Sequence, residues 1–139
     1  MRLEVRRQSD LAVRALRALA QADRTKGSAL AELIGSTPGF VSQVMNPLVK
    51  AGWVDSEPGP TGGYSLKVKL DDVSVLAVIE AVEGATVTGL CVLADHPCDE
   101  SGSCAMHVPW QRARDRLLRE LAAVSVADDS IRVVLGPRQ

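Results

Sequence analysis

Aromatic side chains are almost missing from this 139-residue sequence. Phe40, Trp53, Tyr64 and Trp110 are all it has, 3% of the chain. The core must therefore be aliphatic. A platform that stacks unpaired bases is excluded, because it needs several exposed rings. Histidine is scarce too, with only His96 and His107. No apolar run approaches the roughly 18 residues of a membrane span. The stretch Met1-Arg2-Leu3-Glu4-Val5-Arg6-Arg7 lacks the apolar segment of a secretory leader, so a cytoplasmic protein is expected. A phosphate loop, a dinucleotide fingerprint and a carboxylate pair of clear geometry are all absent, and both histidines lie among the cysteines. An enzyme is therefore not expected.

What is present is a globular balance, 46% hydrophobic and 24% charged. At this length it suits one compact domain with at most an appended element. The net charge of -1 hides an asymmetry. Residues 1–26 hold seven basic side chains against three acidic ones, whereas residues 71–107 hold seven acidic side chains and no Lys or Arg. A basic front half keeps nucleic-acid binding open despite the neutral total.

Hydrophobic periodicity predicts a helix over 9–22, capped by Ser9 or Asp10, with Ala12, Leu16 and Leu19 on its apolar stripe and Ala15 and Ala22 widening it. A short helix over 28–34 follows, capped by Ser28, with Leu30, Ala31, Leu33 and Ile34 inward and Gly35 as its stop. Thr37 then caps a helix over 38–51, with Pro38 at its first position. Phe40, Val41, Val44 and Leu48 are its apolar side, and Gly52 ends it. Helix, glycine turn, helix is the helix-turn-helix pattern. Strands over 53–56 and 64–68 flank Glu57-Pro58-Gly59-Pro60-Thr61-Gly62-Gly63, which is too rich in Gly and Pro for regular structure. A hairpin there is a wing, and its glycines would let backbone approach DNA closely. Ser74 caps a helix over 75–83 that Gly84 ends. A long helix runs from Pro109 to about Val124, with Trp110, Ala113, Leu117, Leu118, Leu121 and Val124 as its stripe. A small domain has no inner place for it, so it reads as a dimerisation helix. The expected class is mainly α with a β-hairpin wing. Three regions follow: a winged helix-turn-helix over 1–84, a cysteine-rich loop over 85–107, and the dimerisation helix with its tail over 108–139.

All three cysteines, Cys91, Cys98 and Cys104, lie in that loop. In a cytoplasmic chain such clustering argues for metal or redox chemistry, and an odd number suits disulfides poorly. Six residues separate the first two and five the last two. Structural zinc sites favour cysteines two to four residues apart. Wider spacing suits an iron–sulfur cluster, whose corners need ligands spread in space. Zinc and a thiol switch remain alternatives. A fourth ligand is needed, and His107 or a carboxylate from elsewhere could supply it.

Three stretches carry a resemblance to a known family. They are Met1-Arg2-Leu3 with Ser9 to Leu16, then Phe40-Val41 through Ala51-Gly52-Trp53-Val54 into Gly59-Pro60-Thr61-Gly62-Gly63-Tyr64, and finally Ile79 to Gly84 with the three cysteines. Together they span nearly the whole chain, which resembles the Rrf2 family of winged-helix regulators, including its IscR-, NsrR- and RirA-like members. The resemblance implies a homodimer that binds a palindromic double-stranded operator and usually represses. It implies an iron–sulfur cluster on Cys91, Cys98 and Cys104, 4Fe–4S in the first place and 2Fe–2S otherwise. In NsrR-like members the fourth ligand is an aspartate of the partner's first helix, and Asp10 matches it; the plainer alternative is a helix cap. In IscR-like members a histidine three residues after the last cysteine serves, and His107 matches that. The segment Asp95-His96-Pro97-Cys98 looks more NsrR-like, which favours Asp10. The signal would then be nitric oxide or redox stress; iron or oxygen status is the alternative.

The cysteine loop has one residue more than such members usually have. Pro58 replaces a basic wing residue, and Ser42 replaces the acidic specificity residue of IscR-like members. Thr37, Ser42, Gln43 and Asn46 are candidates for bases or phosphates. Arg2, Arg6, Arg7, Lys50, Lys67 and Lys69 are candidates for the salt-dependent contacts, and Thr61, Gly62, Gly63 and Tyr64 for the wing's approach to the minor groove.

Overall fold

The computed structural model describes residues 3–94, 96–98 and 104–131. Helix α1 (Arg7–Leu19) is the centre of the molecule. Leu11, Ala12, Val13, Ala15, Leu16 and Leu19 are all buried, as are Ser9 and Asp10, so it is covered over most of its circumference although Arg7, Arg14 and Arg17 keep one side polar. It packs against α2 (Gly27–Ile34), α3 (Pro38–Lys50) and α4 (Val75–Glu83). Ala22, expected to widen the stripe, lies exposed beyond the helix end.

The start of α1 differs from expectation. The helix begins two residues before Ser9, with Arg6 as its cap, and Ser9 and Asp10 are buried inside it. The missing acceptor comes from far along the chain. Glu83 Oε1 accepts from Arg6 N (3.1 Å) and from Ser9 Oγ (2.6 Å). A carboxylate placed there satisfies free N-terminal donors and suits the helix dipole.

Helix α2 ends as expected. Gly35 adopts the left-handed conformation (φ 72°), and Ser36 N closes back onto Ala31 O at 2.9 Å. Ser28 lies within α2, and Lys26 is its cap. Leu33 turns outward, 64% exposed, and leaves Leu30, Ala31 and Ile34 as the inner side. Thr37 precedes α3 in an extended conformation, but its side chain makes no cap hydrogen bond. Val41, Val44, Met45 and Leu48 bury the inner face of α3. Pro47 lies within this helix and has no N–H for the Gln43 carbonyl. That carbonyl accepts from Gln8 Nε2 of α1 instead, at 2.9 Å.

The wing pairs β1 (Val54–Glu57) with β2 (Gly63–Leu66), antiparallel, Val54 opposite Leu66 and Glu57 opposite Gly63. Thr25 adds a third position, exchanging both backbone bonds with Tyr64 at 2.9 and 2.8 Å. One turn of 3₁₀ helix, Leu70–Asp72, then leads to α4. Ser74 caps α4 as expected, its Oγ accepting from Ala77 N at 3.0 Å.

Helix α5 (His107–Ala123) starts two residues before Pro109 and packs along α4. None of its residues is buried. After it the chain returns to the head. Val75 N donates to Val124 O (2.8 Å) and Val126 N to Val73 O (2.9 Å). Val126 and Ile131 join the core, and Arg17 Nη1 donates to the carbonyls of Val126 (2.6 Å) and Asp128 (3.0 Å).

Candidate metal centre and nucleic-acid face

Among its described residues the loop between α4 and α5 has little regular structure, yet it brings the cysteines together. Cys91 N donates to His96 O at 2.8 Å, and Leu90 pairs with Pro97, which folds the first half of the loop into a tight turn. His107 N donates to Cys104 O at 3.2 Å, which sets Cys104 against the first turn of α5. The three sulfurs all lie within 4.8 Å of one another, half-buried. Among the described residues no histidine or carboxylate belongs to the same close set.

The thiols are not equivalent. The Leu93 N–H, 3.4 Å from the Cys91 sulfur, pulls that thiol below the usual range against the opposing effect of burial; Cys98, Cys104 and the Ala94 N–H add to it. Burial pushes Cys98 up, and the neighbouring Cys91 and Cys104 push it further. One thiolate forms readily and its charge opposes the next. A cation held between them would remove that opposition. The donors therefore fit a thiolate-bound metal or cluster. The triangle is also compact. Two sulfurs at about 2.3 Å from one ion lie at most about 4.6 Å apart, so ligands on different irons require the loop to spread.

The two candidates for a fourth ligand stand differently. Asp10 is 6% exposed and its Oδ1 accepts from Arg14 Nε one turn along α1, at 3.0 Å. His107 is exposed at the start of α5, on a cleft of about 180 Å³ that it shares with Cys98, Trp110, Gln111 and Arg114. Neither joins the three sulfurs within this chain. His96 turns its Nδ1 to Pro97 O at 2.9 Å, in solvent.

The outer face of α3 carries Ser42, Gln43, Asn46 and Lys50, all exposed, with Thr37 exposed just ahead of it. Gln43, Asn46 and Lys50 border one cleft with Pro47 and Ala81. Lys67, Lys69, Arg6 and Arg7 are exposed, and Arg2 lies outside the described residues. In the wing, Pro58, Gly59, Pro60 and Thr61 are exposed but Gly62 is buried. A Cβ on Gly63 (φ 141°) would lie 2.6 Å from the Thr25 carbonyl oxygen, and one on Gly62 would strike the carbonyls of Glu57 and Pro58. These glycines are required first by the wing's own backbone. Tyr64 is half-buried, its ring against Gly27.

Residue-by-residue reading missed Arg24, Gln8 and Glu83. Arg24 braces the wing through Glu57 Oε2 (3.0 Å) and Thr61 O (3.3 Å). Its basic charge beside an acidic hairpin was a weak signal. For Gln8 the signal was Pro47, which orphans a carbonyl; for Glu83 there was none.

Residues 5–128 match the family model described as Rrf2, iron-dependent transcriptional regulator. A putative HTH-type transcriptional regulator of Aquifex aeolicus is 30% identical over 91 residues, 64% of this chain and 63% of that protein. The HTH-type transcriptional regulator IscR of Aliivibrio salmonicida is 30% identical over 99 residues, 71% of this chain and 58% of that one. The match thus spans about six-tenths of these relatives' length. Among solved structures, CymR of B. subtilis, titled the global cysteine regulator, superposes with a TM-score of 0.70 at 22% identity over 91% of this chain and 95% of that one. IscR of T. potens superposes with a TM-score of 0.67 at 22% identity over 99% and 93%. At that identity these two show the fold. Among the described residues no helix is long and apolar enough to cross a membrane.

Proposed function

Since the chain belongs to the Rrf2 family of DNA-binding transcriptional regulators, and is no enzyme, we propose that it is a homodimeric cytoplasmic repressor governed by an iron–sulfur cluster. The cluster is held by Cys91, Cys98 and Cys104. The observation that carries this reading is the convergence of those three thiols within 4.8 Å of one another.

Two protomers pair through α5, whose Leu117 is 43% exposed and whose apolar stripe is only partly covered within one chain. The α3 helices then enter successive major grooves of a palindromic duplex. Ser42, Gln43 and Asn46 meet base edges, Thr37 and Lys50 the flanking phosphates. Arg2, Arg6, Arg7, Lys67 and Lys69 add the sequence-independent attraction. The wing offers Thr61 at its tip, with Gly62, Gly63 and Tyr64 fixing its shape behind. Asp10 of the partner subunit would complete the ligand set in place of its bond to Arg14; His107 is the alternative. A bound cluster, 4Fe–4S before 2Fe–2S, would supply an iron open to nitric oxide, to oxygen or to loss. Favouring one DNA-competent arrangement by about 2–3 kcal/mol changes operator affinity roughly 30–150-fold.

Anaerobic purification tests this, with absorption spectrum, iron and sulfide content, and operator binding during a nitric oxide titration. A brown protein that bleaches and releases DNA is the expected result. A brown protein that ignores nitric oxide moves the signal to iron or redox status. The compact sulfur triangle favours a second reading, a single zinc ion. A colourless, zinc-loaded repressor would establish that reading and overturn the cluster.

A further inference from the structure

Two hydrogen-bonded contacts meet at the first turn of α1. On one side Glu83, the last residue of α4 and one step from Gly84, which leads into the cysteine loop, holds Arg6 N and Ser9 Oγ. On the other side Gln8 Nε2 holds the Gln43 carbonyl in the middle of α3. That carbonyl is free for a reason internal to α3. Residue 47 is proline, so the bond its N–H would have made is missing, and α1 supplies the donor. Gln8 therefore sits between a carboxylate tied to the loop and a backbone group of the helix that carries Ser42, Gln43 and Asn46.

We propose that Gln8 is a positioning residue that passes the state of the cysteine loop to the DNA-reading helix, through the carbonyl that Pro47 leaves free. This rests on the metal-governed repressor described above. Loading the loop shifts its start at Gly84. The shift reaches Arg6 and Ser9 through Glu83, and Gln8, between them in sequence, moves α3 by way of Gln43. A helix whose ladder is complete would not need an outside donor and would not be steered by one. The proline is thus half of the device.

The test uses the full-length protein and duplexes selected by the wild type from a random pool. Gln8→Glu keeps the side chain's size and removes its N–H donor. Iron and sulfide content should be unchanged, affinity of the loaded form should fall about fivefold for one lost hydrogen bond, and the loaded and metal-free forms should become alike. Pro47→Ala restores an N–H inside α3 and makes the outside donor redundant. The double variant Gln8→Glu/Pro47→Ala should regain affinity without regaining dependence on the metal. A purely structural Gln8 would lose affinity equally in both forms, and that overturns the proposal. So does a double variant that keeps full metal dependence. Should the wild type hold no metal, the metal-governed reading fails on its metal content. The affinity of the two variants still shows separately whether Gln8 positions α3.

Discussion

The two ends of this molecule are built on opposite terms. The winged-helix head buries Leu11, Leu16, Leu19, Leu30, Ile34, Met45 and Leu48 within a single chain. No residue of the α5 arm is fully buried, and it and the cysteine loop leave Leu90, Leu93, Val108 and Leu117 exposed. A head of this kind is stable by its own packing. On the proposed function, an arm of this kind would be completed from outside, by a metal in the loop and by a second copy along the helix. A sensor needs that division, because an element already satisfied within its own chain has no equilibrium left for a signal to bias.

Substitutions should separate the two ends, and the largest effect belongs to the head. Leu16→Ala removes a fully buried side chain of α1 and should cost about 3–5 kcal/mol in urea unfolding, since the packed surroundings cannot collapse into the gap. A cost below about 1 kcal/mol would mean that the head is not the stable unit. Gly63→Ala should come next, at about 2 kcal/mol, from a positive φ and a Cβ pressed on the Thr25 carbonyl. Ser74→Ala, which loses the cap of α4, should cost about 1 kcal/mol by the same measurement. In the arm, Leu117→Ser should change monomer stability by less than about 0.5 kcal/mol. It should raise the concentration at which the protein dissociates in sedimentation. If stability drops and association does not, α5 packs within one chain.

The smallest effect is a pH effect at the point where the tail joins the head. The Ser130 hydroxyl and N–H, with Arg17 nearby, hold the Asp128 carboxyl below the usual carboxylate range. Its folded value lies below its unfolded one, so its contribution is present above the unfolded value and is lost as pH falls through the folded one. Asp128→Asn should lower stability slightly at neutral pH and match the wild type in acid. A difference that persists at the lowest pH would exclude ionisation as its cause.

Much of the head was legible because its signals are local. Gly35 ends α2, Pro38 opens α3 and Ser74 caps α4 where expected, since each device acts within a turn of itself. The start of α1 was not legible. Ser9 and Asp10 look like caps, but the acceptor is Glu83, and only the packing of α4 on α1 brings it there. Leu33 misled for a related reason. Helical spacing says which residues share a face, not whether that face finds a partner. Gly62 and Gly63 were read as room for DNA, while the structure shows them first making room for Glu57 and Thr25. At the candidate metal site the three cysteines were legible as potential donors from their clustering. Their closeness depends on how the loop folds against α5, which no spacing along the chain states.

Sequence alone determined the element types, the helix-turn-helix with its wing, and the donor chemistry, because period, caps and side-chain identity are properties of short stretches. Tertiary structure alone decided what each end is paired with: Glu83 on α1, Gln8 on α3, Val126 on Val73, three sulfurs within one small sphere. Such pairings join residues tens of positions apart. They form only when burial of the apolar core has offset the entropy of closing the chain between them.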